Sequence, residues 1–146
     1  MTAQSHKAIA DLHFVHGNTT DKSLEHYEEA LTIMEKLGIG GHKESILTLK
    51  NYGLCHKSKE NYQEAINFLS KAEQVAEIEL EDDHKWKVMI ETELALLHLN
   101  VERVEEAKLF MKKGLEMCNR REQSIDKLAN RSEIELFLSW YPDTLL

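Results

Sequence analysis

Proline occurs once in this 146-residue chain and glycine six times. Those are the residues that most often interrupt helix interiors, so their scarcity favours long helices. No apolar run approaches the roughly 18 residues a membrane-spanning helix needs, and no membrane partner is expected. The opening segment MTAQSHKAIADL has no basic stretch followed by an apolar core, so no secretory leader is read there. Cysteine is limited to Cys55 and Cys118, far apart in helix-forming surroundings. Two such residues make no disulfide framework, and a reducing, cytoplasmic setting is the expectation. Cations are also in deficit, 18 Lys and Arg against 26 Asp and Glu, for a net charge of −8. A phosphate-binding surface needs clustered Lys and Arg, so no nucleic-acid partner is expected.

What the chain does contain is a folding composition, 42% hydrophobic and 30% charged residues, and residues 1–146 read as a single domain. Its most informative feature is an internal register. Gly53, His56, Ala65, Leu69 and Ala72 become Ala95, His98, Ala107, Met111 and Gly114 on adding 42, and Asp11, Phe14, Ser23, Tyr27 and Ala30 on subtracting it. Small residues recurring beside aromatic and large apolar ones fit a helix-turn-helix unit whose two helices cross closely. Such a unit cannot bury its apolar face alone, so copies must stack.

Helical spacing of Ile9, Leu12 and Val15 predicts a first helix over 5–16, a turn at Gly17–Asp21, and a second helix from about Lys22 to Leu37. Gly38 to Gly41 stop that helix. The next pair spans 44–58 and, from the capping box Asn61/Glu64, runs toward Glu79. The third pair covers about 86–100 and 104–118, with Asp82 and Asp83 before it as helix-capping charge. Ser132 opens a last helix, which the residue before Pro142 ends. There Leu136, Phe137 and Trp140 match the start of a fourth copy, with Phe137 where a small residue belongs, as a cap would have.

The residues in this register resemble the tetratricopeptide repeat. The second copy, LKNYGLCHKSKENYQEAINFLSKA, carries Gly53, Tyr62, Ala65 and Ala72; the third, ELALLHLNVERVEEAKLFMKKG, carries Leu94, Ala95, Ala107 and Gly114. The first copy departs most, with Asp11 and Ser23 at small-residue places. The proline that closes the form of about 34 residues is absent; Glu35, Glu77 and Asn119 stand there. The longer period is similar to that of kinesin light chain and nephrocystin-like repeats. The resemblance implies an all-α, right-handed superhelical stack of three helix pairs, approximately 4–45, 46–87 and 88–129, closed by a capping helix at approximately 132–141.

It also implies a concave groove lined by the first helix of each pair. The groove-facing places fall on His16, Lys50, Asn51, Leu54, Lys57, Leu96 and Asn100, with Leu12 recurring among them. Asn51 matches the asparagine that bonds a peptide backbone in the longer-repeat families, a role suited to an amide that donates and accepts. Lys50, Lys57 and Lys59, with Lys43, form a basic spot in an acidic chain, which favours an acidic peptide. Ala8, Leu12, Met89 and Glu93 stand where chaperone-binding members hold a terminal carboxylate, and they offer it neither cation nor amide.

No catalytic or metal constellation emerges. His13 and His16 share a helical face near His6 without a third ligand, and Cys55 and His56, adjacent on a helix, point about 100° apart. Glu77, Glu79, Glu81, Asp82 and Asp83 lack the glycine turn of a calcium loop. The expected function is a non-enzymatic module, without cofactor, that binds a protein or peptide in the groove, as part of a larger adaptor and as a monomer or weak homodimer. The alternatives are a self-associating scaffold and an RNA-binding repeat protein, the latter opposed by the charge of −8.

Overall fold

The structure, a computed structural model, describes residues 2–16, 20–81 and 84–120. Its elements are α1 (Ala3–His16), α2 (Thr20–Lys36), a 3-10 turn at Lys43–Ser45, α3 (Ile46–Ser58), α4 (Tyr62–Glu79), α5 (Lys85–Asn100) and α6 (Val104–Arg120). Every described element is helical and the fold is all-α, with α1/α2, α3/α4 and α5/α6 as three pairs. No helix among the described residues is long and apolar enough to cross a membrane. The capping helix expected at 132–141 lies outside the described residues. The chain divides into two compact units, Met1–Glu79 with the first two pairs and Leu80–Leu146 with the third.

In the first unit the small residues sit where the pairs cross. Ser23, Ala30, Ala65 and Ala72 have no exposed surface. A Cβ added to Gly53 would lie 3.2 Å from the Ala65 carbonyl oxygen and 3.2 Å from Leu69 Cγ, so α3 passes directly against the backbone of α4. Ser23 departs from the small apolar pattern without cost, because its hydroxyl donates to the Ala10 carbonyl across the α1/α2 crossing at 3.1 Å. Around these contacts Ala10, Tyr27, Tyr52 and Cys55 form one cluster, with Leu24, Leu31 and Phe68 packed on it. Ala3, Ala30 and Met34 form another. Burying each large apolar side chain here contributes about 1.5–3 kcal/mol.

The second unit repeats the design. Val88, Ala95, Ala107, Met111 and Met117 are buried together, with Leu99, Phe110 and Leu115 against them. Glu91, buried on α5, lies 3.2 Å from Lys113 Nζ on α6. His84 rather than an aspartate caps α5: its Nδ1 accepts from the Trp86 N–H at 3.1 Å. Asp82 and Asp83, expected in that role, lie outside the described residues. One aromatic contact recurs in each unit. His56 stacks on Phe68 at 5.6 Å, and His98 stacks on Phe110 at 5.0 Å.

The helix ends share a second recurring device. After α2, the Ile39 N–H donates to Met34 O and the Gly38 N–H to Glu35 O, with Gly38 at φ 74°. This six-to-one and five-to-two pair defines a Schellman ending, whose left-handed residue is usually glycine. After α3 the same bonds run from Asn61 to His56 and from Glu60 to Lys57; after α5 they run from Arg103 to His98 and from Glu102 to Leu99. There the left-handed residues are Glu60 at φ 61° and Glu102 at φ 62°. A side chain with a Cβ is strained in that region, and glycine is not. Glu60→Gly and Glu102→Gly should therefore each stabilise the protein by about 0.5–1 kcal/mol. Gly38→Ala should act in the opposite direction. Urea-unfolding midpoints of the three variants check the assignment.

Candidate functional site

On α3, Lys50, Leu54 and Lys57 follow at four- and three-residue intervals and form one stripe along the helix. All three are half-buried, as is Asn51 beside them. Leu12 on α1 of the same unit is 61% exposed, a large apolar side chain left to solvent. In the second unit Leu96 and Asn100, four residues apart, share a face of α5, with Leu96 half-buried and Asn100 exposed. Each of these expected residues therefore stands on the first helix of its pair. His16 closes α1, but its side chain lies outside the described residues. Lys59 does not add to the α3 stripe, because its ammonium pairs with Asp21 of α2.

Asn51 is part of a junction that local sequence pattern did not reveal. Its Nδ2 donates to Asp11 Oδ1 at 3.2 Å. The same oxygen accepts the hydroxyl of Tyr27, and Asp11 Oδ2 accepts from Lys7 Nζ at 2.8 Å. One carboxylate thus joins α1, α2 and α3. Burial, then hydrogen bonding to Asp11 and its charge, holds the Tyr27 phenol far above its ordinary range; hydrogen bonding from Asn51 opposes the shift. Tyr27 therefore stays protonated and donates. Asp11 occupies the place filled by Gly53 and Ala95 in the other copies, and a carboxylate is tolerated there because each neighbouring helix supplies it a donor.

The reactive-looking side chains are structural. Burial and the Asp11 charge push the Cys55 thiol up to about 12, so it is protonated and inert at neutral pH. His56, its neighbour in sequence, is held below its ordinary value chiefly by burial. Burial and Arg103 do the same to His98. Neither nitrogen of His56, nor Nδ1 of His98, has a hydrogen-bond partner among the described residues. On the other side of the first pair, His6 Nδ1 lies 3.0 Å from His26 Nδ1, and His13 stacks on His26 with ring centres 6.1 Å apart. Among the described residues no group of three or more potential ligands is arranged to hold a metal ion.

Comparison with known proteins agrees with this architecture. The family model described as tetratricopeptide repeat matches residues 1–78 and again 46–120. No curated protein matches the chain. Among solved structures, a Podospora anserina protein assigned as a kinesin light chain, with nearly identical tetratricopeptide-like repeats, superposes with a TM-score of 0.76 at 17% identity. The superposition covers 90% of this chain and 63% of that one, so the chain spans less than two thirds of that relative. A point-substituted form of the same protein gives a TM-score of 0.76, 17% identity and coverage of 90% and 62%. The N-terminal domain of stress-induced protein-1 from C. elegans gives a TM-score of 0.64 at 14% identity, covering 91% of this chain and 94% of the other. At such identities the likeness is one of fold.

The two stacked histidines have a consequence for stability. Both are neutral in the fold, with proton affinity lowered mainly by burial, while the unfolded chain protonates them at about pH 6.5. Below that pH the unfolded state binds more protons, so their contribution is complete above about pH 6.5 and is lost as the pH falls toward the folded-state values. The melting temperature should fall between about pH 7.5 and about pH 5, and the fall should be smaller in a His56→Gln/His98→Gln variant. Equal falls in the two proteins, measured by circular dichroism, would assign the acid sensitivity to other groups.

Proposed function

We propose, from the premise that this chain belongs to the tetratricopeptide repeat family, that it is a non-enzymatic module holding a peptide or partner protein against the first helices of its repeats. Protein–protein interaction is the general role of such repeats; which partner, which surface and which larger adaptor belong to this proposal. The observation that carries it is the α3 stripe of Lys50, Leu54 and Lys57, set beside Asn51 in a unit whose α1 leaves Leu12 61% exposed. The leucines supply apolar contact and the lysines favour an acidic segment. The Asn51 amide suits a peptide backbone, since it carries two donor hydrogens and an acceptor oxygen. In the second unit Leu96 takes the place of Leu54, and Asn100, at the place of Ser58, adds a second amide to the proposed surface. The proposed setting is cytoplasmic and the proposed state a monomer or weak homodimer.

A second reading, a self-associating scaffold, rests on other surface. Ile78 at the end of α4 is 81% exposed and Leu109 on α6 is 68% exposed. Light scattering of the isolated chain separates the two readings, since a clean monomer removes the scaffold.

For the groove, Asn51→Ala combined with Lys57→Glu should weaken capture of a natural partner while leaving the helical circular-dichroism signal intact. Loss of one hydrogen bond costs about 0.5–1.5 kcal/mol, and reversing a charge adds to it. Gln63→Ala with Asn67→Ala, which removes only an exposed amide pair on α4, should leave capture unchanged. If the α4 pair abolished binding and the α3 pair did not, the first-helix surface would be withdrawn as the site.

A further inference from the structure

Away from the α3 stripe, on the side of the second helices, the first unit holds a cavity of about 360 Å³ between α2 and α4. That volume lies at the small end of the usual range for ligand pockets. Leu31, Leu49, Tyr52 and Phe68 make an apolar floor, the last two rings meeting edge to face at 4.5 Å. One wall is acidic. Glu28 and Glu35 lie two helical turns apart on α2 and both border the cavity. Thr32 sits between them, its hydroxyl turned back onto the Glu28 carbonyl at 2.8 Å. Among the described residues neither glutamate forms an ion pair. Lys71, on the opposite wall, lies over the Phe68 ring at 5.1 Å instead of crossing to them.

An occupant of this space must satisfy both surfaces. A purely apolar side chain would fill the floor and leave two carboxylates beside it with reduced hydration. A carboxylate would meet like charge on the α2 wall. A cation on an aliphatic stem fits: methylenes lie on the floor and the head meets the acidic wall. Arginine fits better than lysine, because its planar fork pairs with a carboxylate through two hydrogen bonds and lies flat on aromatic rings. The Tyr52 phenol on the floor has its proton affinity raised by burial first and then by the charge of Glu28. Glu35 lies about 10 Å further along the helix, so one guanidinium pairs with one carboxylate and a second basic residue with the other.

We propose that the α2/α4 cavity is a second recognition site, which takes an arginine side chain and its apolar neighbour from a basic segment of a partner protein. It is independent of the α3 stripe and of the opposite charge preference.

The test uses the full chain, isotope-labelled, titrated with acetyl-Leu-Arg-Leu-Leu-Arg-Leu-amide while amide resonances are followed by NMR. Two control peptides replace both arginines, one with citrulline, which keeps the shape without the charge, and one with glutamate. The arginine peptide should shift resonances of α2 and α4 around Leu31 and Phe68. Glu28→Gln should weaken it by about tenfold, the loss of a charge-assisted bond. Substituting citrulline, which removes the charge of both arginines, should weaken it further. Thr32→Trp, which plugs the mouth, should block it, and Asn51→Ala/Lys57→Glu should leave it unchanged. Exposed Glu28→Gln tests the site even if the tryptophan variant does not fold. The proposal is overturned by any of four results: no shift with the arginine peptide; equal affinity for the citrulline peptide; preference for the glutamate peptide with loss in Lys71→Gln; or α2/α4 shifts that follow protein concentration without peptide, which would make a second copy the occupant.

Discussion

The closeness of the two helices within a repeat governs what the rest of the chain can be. With α3 passing the Ala65 carbonyl so tightly that a Cβ at Gly53 would sit at 3.2 Å, the α3/α4 crossing has no room for a larger residue there. Large ones are displaced to either side. Tyr27, Leu69 and Met111 become fully buried wedges, and the histidine–phenylalanine stacks fill the margin of the crossing in the second and third copies. Close approach also keeps the interhelical turns short. The first helices α3 and α5 then end abruptly before their partners, and Schellman bonds form there even though glutamate has to take the left-handed position. Packing within a repeat, helix termination and the buried histidines are thus one constraint expressed three times.

Much of this was legible in the chain. The 42-residue offset of small residues predicted the pairs, and helical periodicity placed all six described helices within a few residues. What was not legible depended on partners distant in sequence. Asp11 reads as a defect in the first copy, and it becomes a junction only because Lys7, Tyr27 and Asn51 arrive from three helices. Glu60 and Glu102 look like ordinary surface residues, since a left-handed ending is a property of backbone closure and no side chain announces it. His84 as a cap was hidden beside two aspartates that better fit the usual preference. Glu28 and Glu35 would pass on any solvated helix face; the cavity beside them exists only when α2, α3 and α4 are brought together. Of the expected groove residues, Lys50, Leu54 and Lys57 were named through the resemblance to the tetratricopeptide repeat, and their helical spacing sets them in one stripe, whereas the engagement of Asn51 by Asp11 was not legible.

Charge is distributed unevenly for a chain of net −8. Some cations meet anions across helices, Lys113 with the buried Glu91 and, at the surface, Lys59 with Asp21. The two sides of the first unit also differ in the charged residues they carry. The α3 stripe bears lysines, and the wall of α2 facing the cavity bears glutamates without ion-pair partners among the described residues. A small helical unit can in this way present surfaces of opposite electrostatic preference, because its first and second helices face different directions.

The Asp11 junction bears on what a ligand of the proposed site would gain from Asn51. With one amide hydrogen already given to a carboxylate that also holds Tyr27 and α1, a peptide backbone that takes this hydrogen replaces an existing bond. The net return is then the difference between two hydrogen bonds, one of them to an ion and therefore strong. A backbone that engages the amide oxygen or the second hydrogen adds a bond and leaves the junction intact. In the proposed site, the geometry of capture at this residue would decide between tightening α1 onto its neighbours and loosening it, so occupancy at α3 would be coupled to the order of α1.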